Sequence, residues 1–138
     1  MTHLERFEQH YQSLHHDGTL IFAGTLLQRA ANRWPDHTAV ICRQERITYK
    51  QLYDQSLHVT DYLINNGIKP RDRVMILYEN SLNFYRAYYG AWQAGAVVVP
   101  VNTFLHEKEL AHIINDAKPA GLLVSPESPC LSVPLEVF

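Results

Sequence analysis

The 138-residue chain has little of what marks nucleic-acid-binding and membrane proteins. Twelve Lys and Arg against fourteen Asp and Glu give a net charge of −2, and no basic block is present, so a phosphate-backbone partner or a membrane-surface patch has no electrostatic support. No apolar run approaches the ~20 residues that span a bilayer. The polar, acid-containing N-terminus resembles neither a secretory signal nor a transit peptide. We therefore expect no nucleic-acid partner and no transmembrane segment.

Cysteine and glycine are also scarce, with two and six residues. Cys42 and Cys130 lie far apart in unrelated contexts, so no disulfide framework is indicated and a reducing, cytoplasmic location is expected. The one glycine-spaced run, Gly90–Gly95, lacks the Lys-Ser/Thr that a phosphate-binding loop requires, and it falls within a predicted helix.

The eight histidines do not form a metal motif. His106, Glu109 and His112 are three residues apart, whereas the metalloprotease pattern needs histidines four apart, so we interpret them as surface residues. No Ser-His-Asp set is indicated either. The sequence predicts no metal site and no catalytic residue.

The first half of the chain predicts helices around a hairpin. Residues 1–20 are a lead-in with a possible helix over 4–15, and residues 21–126 form the main segment. There, Thr25 is predicted to cap a helix that ends at Trp34-Pro35, and AVICRQERITY predicts a β-hairpin around Arg43–Glu45. Thr48 and Gln51 have capping-box spacing for a helix that runs to Asn66 and ends at Gly67.

The second half predicts three strands, Val74–Tyr78, Ala96–Val101 and Gly121–Ser125, alternating with two helices. Asn80-Ser81 is predicted to cap the first of these helices, which ends at Gly95. The strands are continuous apolar runs with short connections, which is typical of parallel strands buried on both faces. The predicted fold class is therefore α/β: a helix and a short β-hairpin, followed by a parallel, Rossmann-like β-α-β-α-β unit. The aromatic stripe of the first crossover helix (Tyr85, Tyr88, Tyr89 and Trp92) is interpreted as core packing, and Cys42 as a buried, inert thiol.

Polar residues follow two of the predicted strands. Ligands of open α/β sheets bind beyond the carboxyl ends of the strands. Glu79 is also a candidate base if burial raises the pKa of its carboxyl group. The candidate ligand-side residues are Tyr78, Glu79, Asn80, Ser81, Asn102 and Thr103.

A series of short patterns in this order resembles the N-terminal part of the adenylate-forming superfamily, which includes acyl-CoA synthetases, nonribosomal peptide adenylation domains and luciferases. The stretch PVNTFLHEKELAHIINDAKP is most similar to fatty-acyl-CoA ligases, and the resemblance covers about residues 25–125. The matching residues are Thr48-Tyr49 with Leu52, Leu63 with Gly67-Ile68, Asp72-Arg73-Val74, Asn80-Ser81 with Phe84, Gly90 with Ala94-Gly95-Ala96, Pro100 with Asn102, Glu109-Leu110, and Ile114 with Asp116.

The resemblance implies a partial domain of a ligase that activates a carboxylate, such as a fatty acid, with ATP and Mg²⁺ and passes the acyl group to coenzyme A. The family's phosphate loop, ribose-binding aspartate and catalytic lysine have no match here. We therefore expect a piece of a longer ligase that is inactive alone, whose partner is the remainder of that ligase, with residues 127–138 entering a further strand. A family arginine that contacts coenzyme A corresponds to His112, a mismatch that leaves that role open. The alternative is a non-catalytic, stand-alone α/β module that binds a small molecule or a protein.

Overall fold

The computed structural model describes Glu5 and residues 23–125 of the chain. Within them the α/β fold predicted from the sequence is confirmed. Of the predicted helix over 4–15, only Glu5 lies within the described residues, and it is helical; the segment 127–138 lies outside them. In chain order the elements are α1 (Thr25–Arg33), β1 (Thr38–Cys42), β2 (Glu45–Thr48), α2 (Tyr49–Asn65), β3 (Arg73–Leu77), α3 (Leu82–Gln93), β4 (Val97–Pro100), α4 (Glu107–Ala117) and β5 (Gly121–Val124).

The strands form two sheets. β1 and β2 pair antiparallel around the two-residue turn Arg43-Gln44, in which Arg43 takes the left-handed conformation with φ 57°. The other sheet is parallel, with β3 between β4 and β5, as the alternation of strands and helices predicted. Its three carboxyl ends therefore lie at one edge.

Local capping signals position two of the four described helices, α2 and α3, as predicted. The Thr48 hydroxyl accepts the Gln51 N–H, and the Gln51 side chain accepts the Thr48 N–H, so the capping box at α2 is present. Gly67 and Gly95 end α2 and α3 in the left-handed region. The prediction for Thr25 was wrong by one residue. Thr25 is the first helical residue and its side chain is buried, so the N-cap is Gly24, whose φ and ψ are themselves helical.

Helices cover both faces of the parallel sheet. Val74 and Ile76 of β3 face α2 and α3, while Met75 and Leu77 face α4. β3 is buried on both faces. β4 and β5 also pack against clusters on both faces, with Val98 and Leu123 on one side and Val99, Leu122 and Val124 on the other, so the predicted burial is complete for β3 and partial for β4 and β5. Each of those strands pairs with β3 along one edge alone among the described residues, and each is partly exposed. A third cluster joins α1 and the hairpin to α2 and the start of α3.

α2 and α3 approach each other closely at Gly90. A Cβ atom added there would lie 2.5 Å from Val59 Cβ and 2.8 Å from the Ser56 carbonyl oxygen, so only glycine allows this contact. Beside it lies a buried polar cluster formed by Ser56, Thr60 and Gln93. Oε1 of Gln93 is 3.2 Å from Ser56 Oγ and 3.0 Å from Thr60 Oγ1, and Thr60 Oγ1 is also 2.9 Å from the Gly90 carbonyl oxygen.

The aromatic stripe of α3 lies at the margin of the core. Tyr88 and Tyr89 pack against the two neighbouring core clusters, as predicted, and the Tyr88 and Trp92 rings are 4.7 Å apart. Tyr85 is 37% exposed, so the core interpretation was wrong for that residue. Among the described residues, no helix is both long and apolar enough to cross a membrane.

Candidate functional site

A cleft of about 790 Å³ opens at the carboxyl edge of the parallel sheet. The segment after β3 and the first two turns of α3 form one side, and the hairpin turn forms another. The loop after β4 and the residue after β5 complete it. The lining residues are Cys42, Arg43, Gln44, Glu45, Tyr78, Glu79, Asn80, Ser81, Leu82, Asn83, Arg86, Thr103, Phe104 and Ser125.

The structure brings five of the six predicted ligand-side residues together here, namely Tyr78, Glu79, Asn80, Ser81 and Thr103. Their binding role stays a prediction. The Ser81 hydroxyl also accepts the Phe84 N–H at 3.3 Å and so starts α3. Asn102 does not line the cleft. Its Oδ1 accepts the Phe104 N–H at 3.0 Å, because an asparagine two residues before an N–H can close its own turn.

His112, the predicted position on the coenzyme A side, is exposed on α4 and does not line the cleft. Glu109 caps the N-terminus of the same helix, because its Oε2 accepts the His106 N–H at 2.9 Å. Within Glu5 and residues 23–125, no three or more His, Cys, Asp or Glu side chains are arranged to hold a metal ion.

The hairpin turn and Arg86 of α3 are parts of the site that sequence reasoning missed. Cys42 was predicted to be a buried core thiol, but it is half-buried, lines the cleft, and its Sγ donates to the Asn80 carbonyl oxygen at 3.8 Å. That weak contact joins the hairpin to the segment after β3 across 38 residues of sequence. No local pattern marks such a pairing, because the two segments belong to different sheets.

Two cationic and two anionic side chains line the cleft: Arg43 and Arg86, and Glu45 and Glu79. The formal charges cancel. Partial burial raises the pKa of the Tyr78 phenol above its ordinary value of 10.0, so at neutral pH this phenol is a hydrogen-bond donor rather than an anion. The site can therefore present donors and acceptors of both signs to a small ligand.

Residues 27–136 match the family described as AMP-binding enzyme. The chain is 34% identical over 111 residues to 4-hydroxybutyrate–CoA ligase 2 of Metallosphaera sedula, which covers 80% of this chain and 20% of that protein. It is 33% identical over 98 residues to a medium/long-chain-fatty-acid–CoA ligase of Mycobacterium tuberculosis, covering 71% of this chain and 18% of that one. The chain thus spans about a fifth of the length of the curated relatives it matches.

Solved structures show the same likeness. The N-terminal subdomain of Klebsiella oxytoca NpsA superposes with a TM-score of 0.76 at 28% identity, covering 86% of this chain and 30% of that one. The N-terminal domain of FACL13 from Mycobacterium tuberculosis superposes with a TM-score of 0.74 at 31% identity, covering 81% and 29%. Other structures of the NpsA subdomain were solved in complex with 3-hydroxyanthranilyl-AMSN and related compounds.

Proposed function

This chain belongs to the family of AMP-binding enzymes, and we propose that it forms part of an ATP-dependent acyl-CoA ligase. In such a ligase a carboxylate attacks the α-phosphorus of ATP to give an acyl-adenylate and pyrophosphate. The coenzyme A thiol then displaces AMP to give the thioester. The names of the relatives support this reaction class and include ligases for short, aromatic and long-chain acids. A fatty acid is the proposed substrate and the cytoplasm the proposed location.

The convergence of three strand ends on one cleft is the observation that carries this proposal. In open α/β sheets that edge is where ligands bind. Tyr78, Thr103 and Ser125 come from the three different strand ends and meet at this cleft. We propose that the cleft contributes a wall on the acyl or coenzyme A side of the ligase's site. The remainder of the ligase then supplies the groups that act on ATP.

The described residues do not form a binding site for a nucleoside triphosphate and its magnesium ion. A triphosphate needs a loop of backbone N–H groups with a lysine, and magnesium needs oxygen ligands from carboxylates. Gly90 and Gly95 lie in and just after α3, and no metal-holding group is present within residues 23–125. The charge-balanced cleft has no excess of cations for a polyanion. We therefore derive no ATP-dependent step from this chain's own residues.

An exchange assay tests the proposal. The 138-residue chain is incubated with Mg-ATP, labelled pyrophosphate and carboxylates from acetate to palmitate, with benzoate included. No exchange is expected above the chain-free control. Exchange that depends on a fatty acid would contradict the statement that the chain lacks the ATP chemistry.

A chimera tests membership in a ligase directly. The matching 111 residues of the Metallosphaera sedula ligase are replaced by those of this chain, and acyl-CoA formation is measured. Thioester formation supports the proposal. The chimera is also compared with the Metallosphaera sedula ligase in an unfolding experiment. If the chimera unfolds as cooperatively as that ligase but forms no thioester, the result favours the stand-alone binding module.

A further inference from the structure

Arg86 carries a charge that this part of the chain holds in place without neutralising it. The side chain is half-buried and lines the cleft. Its Nε donates to Gln55 Oε1 at 2.7 Å and its Nη1 to Asn83 Oδ1 at 2.7 Å. Both acceptors are neutral amide oxygens. The guanidinium is therefore fixed from two directions while its full positive charge remains.

No carboxylate lies within ion-pair distance of Arg86 or Arg43 among residues 23–125. Partly buried charges usually have a charged partner, because removing them from water is costly. A guanidinium has five N–H donors, and the two amide oxygens use two of them. The remaining donors suit the paired oxygens of a carboxylate or phosphate group.

Arg43 brings a second guanidinium to the same cleft from a strained position. It takes φ 57° in the two-residue turn of the hairpin, where glycine is the usual residue. A residue other than glycine in this conformation costs about 1 kcal/mol or more, and such strain is concentrated at binding sites. Glu45 and Glu79 also line the cleft, so it has no net positive charge that would favour a ligand with many negative charges.

We propose that Arg86, held by Gln55 and Asn83, binds a single oxyanion group of a small ligand in the cleft, and that Arg43 closes over the same group. The group is a carboxylate or a phosphate ester. This inference concerns the same cleft as the proposed ligase function, but it depends only on the contacts of Arg86. The test measures anion binding to the chain alone. The chain can therefore fail to bind an anion while the chimera is active, and it can bind an anion while the chimera is inactive.

The test is a titration of the isotope-labelled, full 138-residue chain with butyrate and with inorganic phosphate at constant ionic strength, followed by NMR. Saturable shifts of the Arg86 Nε–H signal and of the amides around the cleft are expected for at least one anion. Tighter binding of butyrate identifies a carboxylate ligand, and tighter binding of phosphate identifies a phosphate ester. Shifts that stay linear, or that spread evenly over surface arginines, would overturn the proposal.

Two variants separate a specific site from general charge. Arg86→Gln should weaken binding by about tenfold or more, because a charge-assisted hydrogen bond is lost. Gln55→Glu leaves Arg86 in place but gives it an internal carboxylate, so it should abolish binding without lowering the melting temperature. Arg29→Gln, on the exposed side of α1 and away from the cleft, is the matched control and should bind as the parent does. Wild-type affinity in folded Gln55→Glu would overturn the proposal.

Discussion

Helix α3 takes part in two regions that differ in whether their polar groups are buried and paired or face an open cleft. Against α2, Gln93 is fully buried and its Oε1 is satisfied by Ser56 and Thr60, while Gly90 brings the two backbones into contact. At the cleft, the first turns of α3 present Ser81, Asn83 and Arg86 to an open space. The buried region pairs its polar groups within one packing arrangement, whereas at the cleft only two of the five N–H donors of Arg86 have acceptors among the described residues.

The largest effect should come from disturbing the contact between the helices. In Gly90→Ala the new Cβ would meet Val59 Cβ at 2.5 Å and the Ser56 carbonyl oxygen at 2.8 Å, and neither atom can rotate away. We expect a loss of about 2–3 kcal/mol in the free energy of unfolding from overpacking. The gain in helix propensity of about 1 kcal/mol from replacing glycine only partly offsets it. Urea-induced unfolding followed by circular dichroism measures the change.

Gly121→Ala is the matched control for that substitution. Its Cβ would meet Ile68 Cδ1 at 3.1 Å, the far end of a side chain that can rotate. The free energy of unfolding should stay within about 1 kcal/mol of wild type. Equal losses for the two alanine variants would contradict the view that the helix contact is the tightest point of the fold.

The buried polar cluster should respond unequally to removal of its members. Thr60→Val deletes the hydroxyl near the Gly90 carbonyl oxygen and Gln93 Oε1, and should cost about 1–3 kcal/mol. Gln93→Met conserves volume and removes an Nε2 that has no hydrogen-bond partner among the described residues. It should therefore cost less than Thr60→Val in the same urea experiment, and the opposite order would contradict this account of the cluster.

Helix capping at the cleft should contribute less. Ser81→Ala removes a single cap bond of 3.3 Å and should lower the free energy of unfolding by about 1 kcal/mol. Thr48→Ala removes the hydroxyl that accepts the Gln51 N–H at 3.2 Å in the box at α2 and retains the backbone N–H that donates to Gln51 at 2.9 Å, so it should cost a similar amount. Thermal unfolding of the two variants compares them. A clearly larger loss in Ser81→Ala would contradict the expectation that the two caps contribute similarly to stability.

The smallest expected effect is a pH dependence at Tyr78. Partial burial raises the pKa of this phenol above 10.0 in the folded protein, so above that pH the folded state binds more protons than the unfolded state. The contribution to stability is complete below pH 10 and is lost as pH rises beyond it. Tyr78→Phe should match wild type at pH 7 and lose stability less steeply above pH 10. Tyr89→Phe should change the profile in the same direction, because burial also raises the pKa of that phenol.

Sequence reasoning succeeded where a feature depends on near neighbours. The capping box at Thr48, the left-handed residues Gly67 and Gly95, and the cap at Ser81 each need only three or four consecutive residues. The convergence of residues after the strands was also predictable, because parallel strands share one carboxyl edge. Asn102 does not line the cleft, and its side chain accepts an N–H of its own loop, an arrangement that strand position does not determine.

The hairpin and Arg86 show the opposite case. Arg86 meets Gln55 across 31 residues, and Cys42 meets Asn80 across 38. An arginine within an amphipathic helix is indistinguishable in sequence from an ordinary surface charge. Its electrostatic role arises only when packing of α2 on α3 places an amide oxygen rather than a carboxylate beside it.

The order of short- and medium-range patterns by itself determined the α/β class, the parallel unit, the family and the edge of the sheet where polar groups collect. Periodicity, capping and chain direction are properties of neighbouring residues, so they can be derived without coordinates. Only the tertiary structure decided that the hairpin turn closes the cleft, that Gly90 sets the distance between two helices, and that amide oxygens rather than a carboxylate lie beside Arg86. Each of these depends on which distant side chains meet, and that is set by the packing of the whole core.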